Sequence, residues 1–183
     1  MRIVSIDPGT RTVGFACLEF CESMEKAIVR DAYTLNLERL ARRASPDIIE
    51  QYGERIAHLL LVKDAAFEYC RAWTPLVVCC EDPYLHRFPQ TFAALTECVL
   101  AIQNGVLQYD NTVLFRRVKP TVAKNAVGVR GGSKDKEEVR EGIRQQKQLI
   151  LEIDLDSLDE HSTDAIAIGC SYVLPSLLRV DKT

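Results

Sequence analysis

The chain has 183 residues, of which 47% are hydrophobic and 27% charged, a composition typical of a globular protein with one core. No apolar run approaches the ~20 residues that a transmembrane helix needs, and the first residues begin a strand-like pattern rather than a secretory signal. We therefore expect a single domain over residues 1–183 that is cytoplasmic, or in the viral or organellar equivalent, and not secreted.

The first half of the chain predicts a three-stranded meander, a long helix and a buried strand. Alternating and β-branched residues indicate strands over 2–7, 12–20 and 27–34, with an irregular segment over 35–45. Ser45 and Pro46 are typical of a helix start, and apolar residues at helical spacing extend this helix to about residue 73. The apolar run over 76–81 is typical of a strand buried on both faces.

The second half alternates helices and strands. We predict a helix over 88–105, a strand over 112–118, a short helix over 120–127, a glycine-bearing loop over 128–133, and helices over 135–150 and 161–174. Three strands followed by this alternation indicate the α/β class, with a five-stranded mixed sheet flanked by helices.

The seven cysteines do not favour a disulfide framework or a zinc site. Their number is odd, and no Cys-x-x-Cys pair occurs. Cys79 and Cys80 are neighbours in an apolar strand, where successive side chains point to opposite faces. We interpret the cysteines as reduced thiols that act as small hydrophobic residues in the core.

Three acids lie at positions that suggest metal chemistry: Asp7 and Glu81 each end a predicted strand, and Asp164 lies inside the last helix. A buried carboxylate is costly unless a charge compensates it, and Mg²⁺ prefers carboxylate and phosphate oxygens. Each acid also has a simpler interpretation. Asp7 could stabilise a turn, Glu81 could point into solvent, and Asp164 could lie on a solvated helix face.

Residues 116–136 carry a net charge of +6, although the whole chain has a net charge of −3. A basic segment of this kind is the electrostatic signature of phosphate binding, and a solvated charged surface is the simpler alternative. The seven basic residues are Arg116, Arg117, Lys119, Lys124, Arg130, Lys134 and Lys136.

Four motifs in this order resemble the RuvC family of Holliday junction resolvases. Residues 6–11 (Ile-Asp-Pro-Gly-Thr-Arg) with Gly14 resemble its first motif, and Glu81 occupies the place of its second acid. Residues 161–168, from His161 to Ile168, resemble its C-terminal motif, with Ser-Thr in place of the common two alanines. Residues 120–139 resemble a basic stretch of RuvC, although their spacing departs from the usual one and Lys134 or Lys136 could take the role of its second lysine. The segment before Glu81 is longer than in bacterial members, which implies a divergent, phage-type member.

The resemblance implies an RNase H-like fold and metal-dependent hydrolysis of DNA phosphodiesters. Two Mg²⁺ or Mn²⁺ ions would be held by Asp7, Glu81 and Asp164. His161 would be a fourth ligand or a proton-transfer group, with a capping residue as its simpler interpretation and Asp159 or Glu160 as spare acids. The implied DNA-binding residues are Tyr84, which would stack on a base, and the phosphate contacts Lys124, Arg130, Lys134 and Lys136.

A resolvase cuts two strands symmetrically, so the resemblance also implies a homodimer acting on branched DNA such as a four-way junction. The helical segment 92–102 could form the dimer interface or lie in the core. The main alternative is an RNA-processing nuclease of the YqgF type, which shares the first motif but lacks the long basic block. An actin-like kinase would need a second lobe, and a junction-binding module without activity would not need the acids.

Overall fold

The structure of the chain, a computed structural model, describes residues 1–44, 46–84, 88–130 and 136–180. The side chains of residues 44, 136 and 176–180 lie outside this description, as does Ser45, the predicted helix cap. Within the described residues, no helix combines the length and apolar character needed to cross a membrane.

A mixed six-stranded sheet forms the centre of the molecule. Its strands are β1 (Arg2–Asp7), β2 (Thr12–Cys21), β3 (Lys26–Asn36), β4 (Val77–Glu81), β5 (Leu114–Val118) and β6 (Leu149–Leu151). The order across the sheet is β5-β4-β1-β2-β3-β6. The first three strands form the predicted antiparallel meander, while β4 pairs parallel with β1 and with β5, and β6 pairs parallel with β3.

Seven α-helices flank the sheet in the described part of the chain. They are α1 (Leu37–Ala44), α2 (Pro46–Tyr52), α3 (Glu54–Trp73), α4 (Pro89–Tyr109), α5 (Pro120–Ala126), α6 (Lys136–Arg144) and α7 (Glu160–Val180). Short 3-10 turns occupy Glu22–Met24 and Leu155–Ser157. The α/β architecture predicted from the sequence is therefore confirmed.

The prediction of five strands is wrong by one. The helix predicted over 135–150 ends at Arg144, and Leu149–Leu151 instead form β6, paired with Ala27–Val29 of β3. Three apolar residues in a row fit either a helix or a strand, so the periodicity of the sequence does not distinguish the two. The free backbone groups at the edge of β3 decide between them.

Two further predictions in the first half need correction. Residues 35–45 were expected to be irregular, whereas β3 continues to Asn36 and α1 follows directly. The helix predicted over 46–73 is divided into α2 and α3 at Gly53, whose φ of 85° lies outside the helical region. Glycine adopts this conformation without the penalty that a side chain imposes.

The core has two halves, one on each face of the sheet. One half lies between the sheet and α5, α6 and α7, and includes Ile3 and Cys79. The other lies between the sheet and α3 and α4, and includes Val4 and Cys80. Because side chains alternate along a strand, the neighbours Cys79 and Cys80 enter opposite halves, as predicted. Six of the seven cysteines are buried, and the seventh, Cys21, is partly buried.

Candidate functional site

Asp7 and Glu81 lie at the carboxyl ends of two neighbouring parallel strands. The register of β1 and β4 pairs Ile6 with Cys80, so the next residue of each strand is one of these acids. Both acids continue the alternation that directs Ile3 and Cys79 toward α7. Asp7 is only 8% exposed. Two predicted metal-ligand candidates therefore share one edge and one face of the sheet.

The first turn of α7 lies directly against this edge because Gly14 has no side chain. Gly14 of β2 pairs with Asp7 in the sheet. A Cβ atom at Gly14 would overlap the carbonyl group of His161. The glycine of the first motif is thus the point at which α7 approaches the sheet, and this approach brings His161 to Asp7.

His161 makes a hydrogen bond with each of its ring nitrogens. Its Nδ1 lies 2.8 Å from Oδ2 of Asp7, and its Nε2 lies 2.8 Å from Oγ1 of Thr12. The contact with Asp7 raises the pKa of His161, and burial opposes this effect. Sequence reasoning did not identify Thr12. The available signal was the spacing of Thr12 and Gly14 on β2. Residues two positions apart on a strand point to the same face, so both face α7.

Glu81 and Asp164 belong to the same electrostatic cluster as Asp7. The pKa of Glu81 is raised to about 8, first by burial and then by the negative charges of Asp7 and Asp164. Lys124 opposes this shift. Burial also raises the pKa of Asp7, against the hydrogen bond from His161. The fold thus collects three carboxyl groups and one lysine that were recognised separately in the sequence.

The donor set fits a hard divalent cation by its chemistry, but the side chains are not arranged as a finished ligand cluster. Among the described residues, no group of three or more His, Cys, Asp or Glu side chains is positioned to hold a metal ion. Asp7 is nevertheless buried and Glu81 partly buried, and the negative charge of Asp7 raises the pKa of Glu81 further. A bound cation would offset both the burial and the repulsion. One carboxylate oxygen of Asp7 is already engaged in a hydrogen bond with Nδ1 of His161.

Asp159, interpreted from the sequence as a spare acid, caps α7 in the structure. Its Oδ1 accepts hydrogen bonds from the backbone N–H of Ser162 (3.0 Å) and from the Ser162 hydroxyl (2.8 Å). Thr34 of β3 donates to the same oxygen. The hydroxyl of Thr163 donates to the backbone carbonyls of residues 159 and 160. The hydroxyls of the Ser-Thr pair, which departs from the RuvC pattern, therefore find acceptors at the start of the helix, while the carboxylate of Asp159 satisfies the N–H of Ser162.

The predicted DNA-binding residues differ in exposure, and Lys124 interacts with the acidic cluster. Tyr84 follows β4 and is 73% exposed. Lys124 lies on α5 and is half-buried near Glu81, whereas Arg130 is exposed at the end of the described loop. Lys134 lies outside the described residues, and Lys136 begins α6 with its side chain outside the description.

Comparisons with known proteins support the RuvC resemblance at the level of the fold. Neither a protein-family model nor a curated protein sequence matches the chain. Thermus thermophilus RuvC in complex with a Holliday junction substrate is similar in structure, with a TM-score of 0.73 and 19% identity over 98% of this chain and 96% of that chain. T. thermophilus RuvC by itself gives a TM-score of 0.70 at 18% identity, over 98% and 97% of the two chains.

The yeast mitochondrial Holliday junction resolvase is also similar, with a TM-score of 0.65 and 14% identity over 97% of this chain and 80% of that chain. The chain therefore has the RNase H-like fold of these resolvases, with a strongly diverged sequence. The fold inferred from the four motifs is confirmed.

Proposed function

We propose that the chain is a structure-specific DNA endonuclease that resolves Holliday junctions or other branched DNA by symmetric phosphodiester hydrolysis. The observation that carries this proposal is the meeting of Asp7, Glu81 and Asp164 with His161 at one sheet edge of a RuvC-like fold. One similar structure is a complex of RuvC with a Holliday junction substrate. The acids and the fold together favour a nuclease over a module that only binds DNA.

The metal in this proposal is Mg²⁺ or Mn²⁺, with two ions in each site. Asp7, Glu81 and Asp164 would hold them, and His161 would complete the set. When bound, the ions supply an activated water and stabilise the attacking and leaving oxygens of the phosphodiester. Asp7 would lie between the other acids, and Gly14 would keep His161 and Asp164 close to the sheet.

His161 has two possible roles that depend on whether it stays on Asp7. While its Nδ1 contacts Asp7, it orients that carboxylate and holds a proton beside it. Thr12 fixes the other side of the ring, so rotation of His161 away from Asp7 would break two hydrogen bonds. A ligand role for His161 requires this rearrangement, whereas a proton-transfer role does not.

DNA contacts would come from the surface around the acids. Lys124 lies close enough to Glu81 to lower its pKa, so a phosphate at the acidic cluster would also meet this lysine. Arg130, Lys134 and Lys136 would contact neighbouring phosphates and give salt-sensitive affinity. Tyr84 offers an exposed ring on which a base near the branch can stack.

A homodimer would supply the two active sites that symmetric cleavage needs. The core side of α4 is occupied by residues such as Val99 and Ile102, while Leu100 and Leu107 are 48% and 49% exposed on the same helix. Two leucines seven residues apart lie on one side of a helix. We assign this side of α4 to the dimer interface.

The proposal is tested with a labelled four-way junction, a linear duplex of the same sequence and a matched RNA duplex. We expect paired symmetric nicks in the junction with Mg²⁺, and no cleavage in EDTA or by the Asp7→Asn variant. The Asp47→Asn variant, which changes an exposed acid on α2, serves as the matched control and should cleave normally. Equal cleavage of the linear duplex would contradict the proposal, and cleavage of RNA alone would favour the YqgF-type alternative.

A further inference from the structure

A cavity of about 370 Å³ lies behind the turn that follows β1. Its wall includes Gly9, Thr10 and Arg11 of this turn, together with the first turns of α1, α3 and α4. It therefore opens at the same sheet edge as Asp7 and Glu81, but on the face that carries α3 and α4. Its volume is within the range of small-ligand sites.

His58 is an almost fully buried residue in the wall of this cavity. The residue is 9% exposed, and its Nδ1–H donates to the backbone carbonyl of Thr10 at 3.0 Å. Because Nδ1 carries the proton, Nε2 of the neutral ring is an acceptor. Among the described residues no hydrogen bond to Nε2 is formed, and His58 is one of the residues that line the cavity. A ligand with an N–H group would donate a hydrogen bond to Nε2 of His58.

The cavity has an apolar interior and a rim of mixed charge, where Arg11 and Arg55 lie beside Glu38 and Glu54. Leu59 and Ala94, which are both partly exposed, contribute apolar surface inside it. At the rim, Arg11 pairs with Glu38 at 3.1 Å and Arg55 pairs with Glu97 at 2.7 Å, and both arginines are more than half exposed. Such exposed ion pairs are weak, so an incoming phosphate can replace the carboxylate partner.

The starts of two helices add positive potential at the same rim. α3 and α4 both begin without a side-chain cap, and their first turns line the cavity. Uncapped N–H groups and the helix dipole favour an anion at these positions. The cavity is thus suited to a flat, largely apolar group with N–H edges that carries a phosphate at its mouth.

We propose that this cavity receives an unstacked nucleotide of branched DNA, with the base inside against His58 and the phosphate between Arg11 and Arg55. The inference rests on the proposed function, because it uses a branched DNA strand that reaches Asp7 and Glu81 along the same edge. Bases at a branch point are less stacked than in a duplex, so they enter such a cavity at lower cost. The cavity then selects for branched over linear DNA.

The test uses four-way junctions with 2-aminopurine at single positions around the crossover, bound to the full chain in EDTA so that no strand is cut. Binding should increase the fluorescence at one or more positions. The Ala94→Phe variant fills the cavity, so this increase should be lost and the junction Kd should rise about tenfold. Affinity for a linear duplex should not change. The Ala72→Phe variant places the same side chain at an exposed position of α3 and should behave like the parent protein.

Equal fluorescence for the parent protein and Ala94→Phe would overturn the inference. If Ala94→Phe fails to fold, as judged by circular dichroism, the exposed Gln90 at the cavity wall is changed to Phe for the same measurement. Binding of free deoxyadenosine monophosphate, measured by shifts of the His58 ring signals, separates a free nucleotide from a DNA strand. Shifts with the free nucleotide and no response from the junction would also overturn the inference.

The two proposals fail in different ways. If the parent protein binds the junction no better than the duplex and cuts neither, the proposed function fails. If it binds and cuts the junction but Ala94→Phe gives the parent fluorescence, only the cavity assignment fails.

Discussion

Glu81 and Asp7 place two carboxyl groups at the ends of neighbouring buried strands. Burial and mutual repulsion raise the pKa of Glu81 from 4.5 to about 8, and burial raises that of Asp7. At a pH between 4.5 and about 8, the folded protein therefore keeps a proton on Glu81 that the unfolded chain has released. Without metal, this site opposes folding as the pH rises through that window.

We predict that Glu81→Gln stabilises the metal-free protein increasingly as the pH rises. The variant should melt close to the parent protein at pH 5 and about 10 °C higher at pH 8.5, because the amide cannot ionise. Differential scanning fluorimetry in EDTA measures both temperatures. Adding Mg²⁺ at pH 8.5 should raise the melting temperature of the parent protein and leave the variant nearly unchanged.

Glu50→Gln is the matched control, since Glu50 is exposed on α2. It should shift the melting temperature equally at both pH values. If Glu81→Gln also gives equal shifts at pH 5 and 8.5, the assignment of a proton to folded Glu81 is wrong.

At the scale of elements, the start of α7 determines the position of His161 and Asp164. Asp159 holds this start through Ser162, and it also links α7 to β3 through Thr34. Gly14 allows α7 to lie close against β2, because a side chain at this position would overlap the backbone of His161. The geometry of the site therefore depends on a helix cap and a glycine that themselves need not touch DNA.

Asp159→Ala should reduce the free energy of unfolding by about 1–2 kcal/mol, because the N–H of Ser162 loses its acceptor. Asp159→Asn keeps an acceptor oxygen at the same position and should cost less. Urea unfolding followed by circular dichroism measures both variants. Equal losses for Ala and Asn would show that the cap does not act through this oxygen.

At the scale of the whole molecule, the proposed symmetric cleavage requires two copies of the site in a fixed relation. The outer side of α4 carries Leu100 and Leu107, which the core does not cover. We predict that the double substitution Leu100→Glu and Leu107→Glu converts a dimer into a folded monomer, because it buries charge in the interface. Sedimentation velocity measures the mass, and circular dichroism confirms folding.

The control is Leu76→Glu, which changes a leucine that is 64% exposed before β4. This variant should remain a dimer. A dimeric double variant would place the interface elsewhere on the surface. If the double variant is monomeric, the nicks that it makes in a four-way junction should lose their pairing.

The strand and helix pattern was predictable where local signals are strong. Alternation predicted the meander of β1, β2 and β3, and the apolar run before Glu81 predicted β4. Local signals were insufficient at Leu149–Leu151, where β6 exists because the edge of β3 is available to pair with it. They were also insufficient at Gly53, where one glycine ends α2 and separates it from α3.

The candidate site was predictable in its residues but not in its contacts. The motifs identified Asp7, Glu81 and Asp164 because their order and spacing are sequence properties. Thr12 was missed because its contact with His161 joins residues 149 positions apart. Asp159 was interpreted as a spare acid because a cap and a ligand require the same residue type.

The sequence by itself determined the α/β class, the identity of the candidate acids and the basic segment, since composition, periodicity and spacing are local. Only the tertiary structure decided which of these groups meet and in what environment. The approach of α7 to β2 at Gly14 brings His161 onto Asp7. Burial, and then the charge of Asp7 on the neighbouring parallel strand, raise the pKa of Glu81. The cavity beside His58 likewise exists only because four separate segments converge at one edge of the sheet.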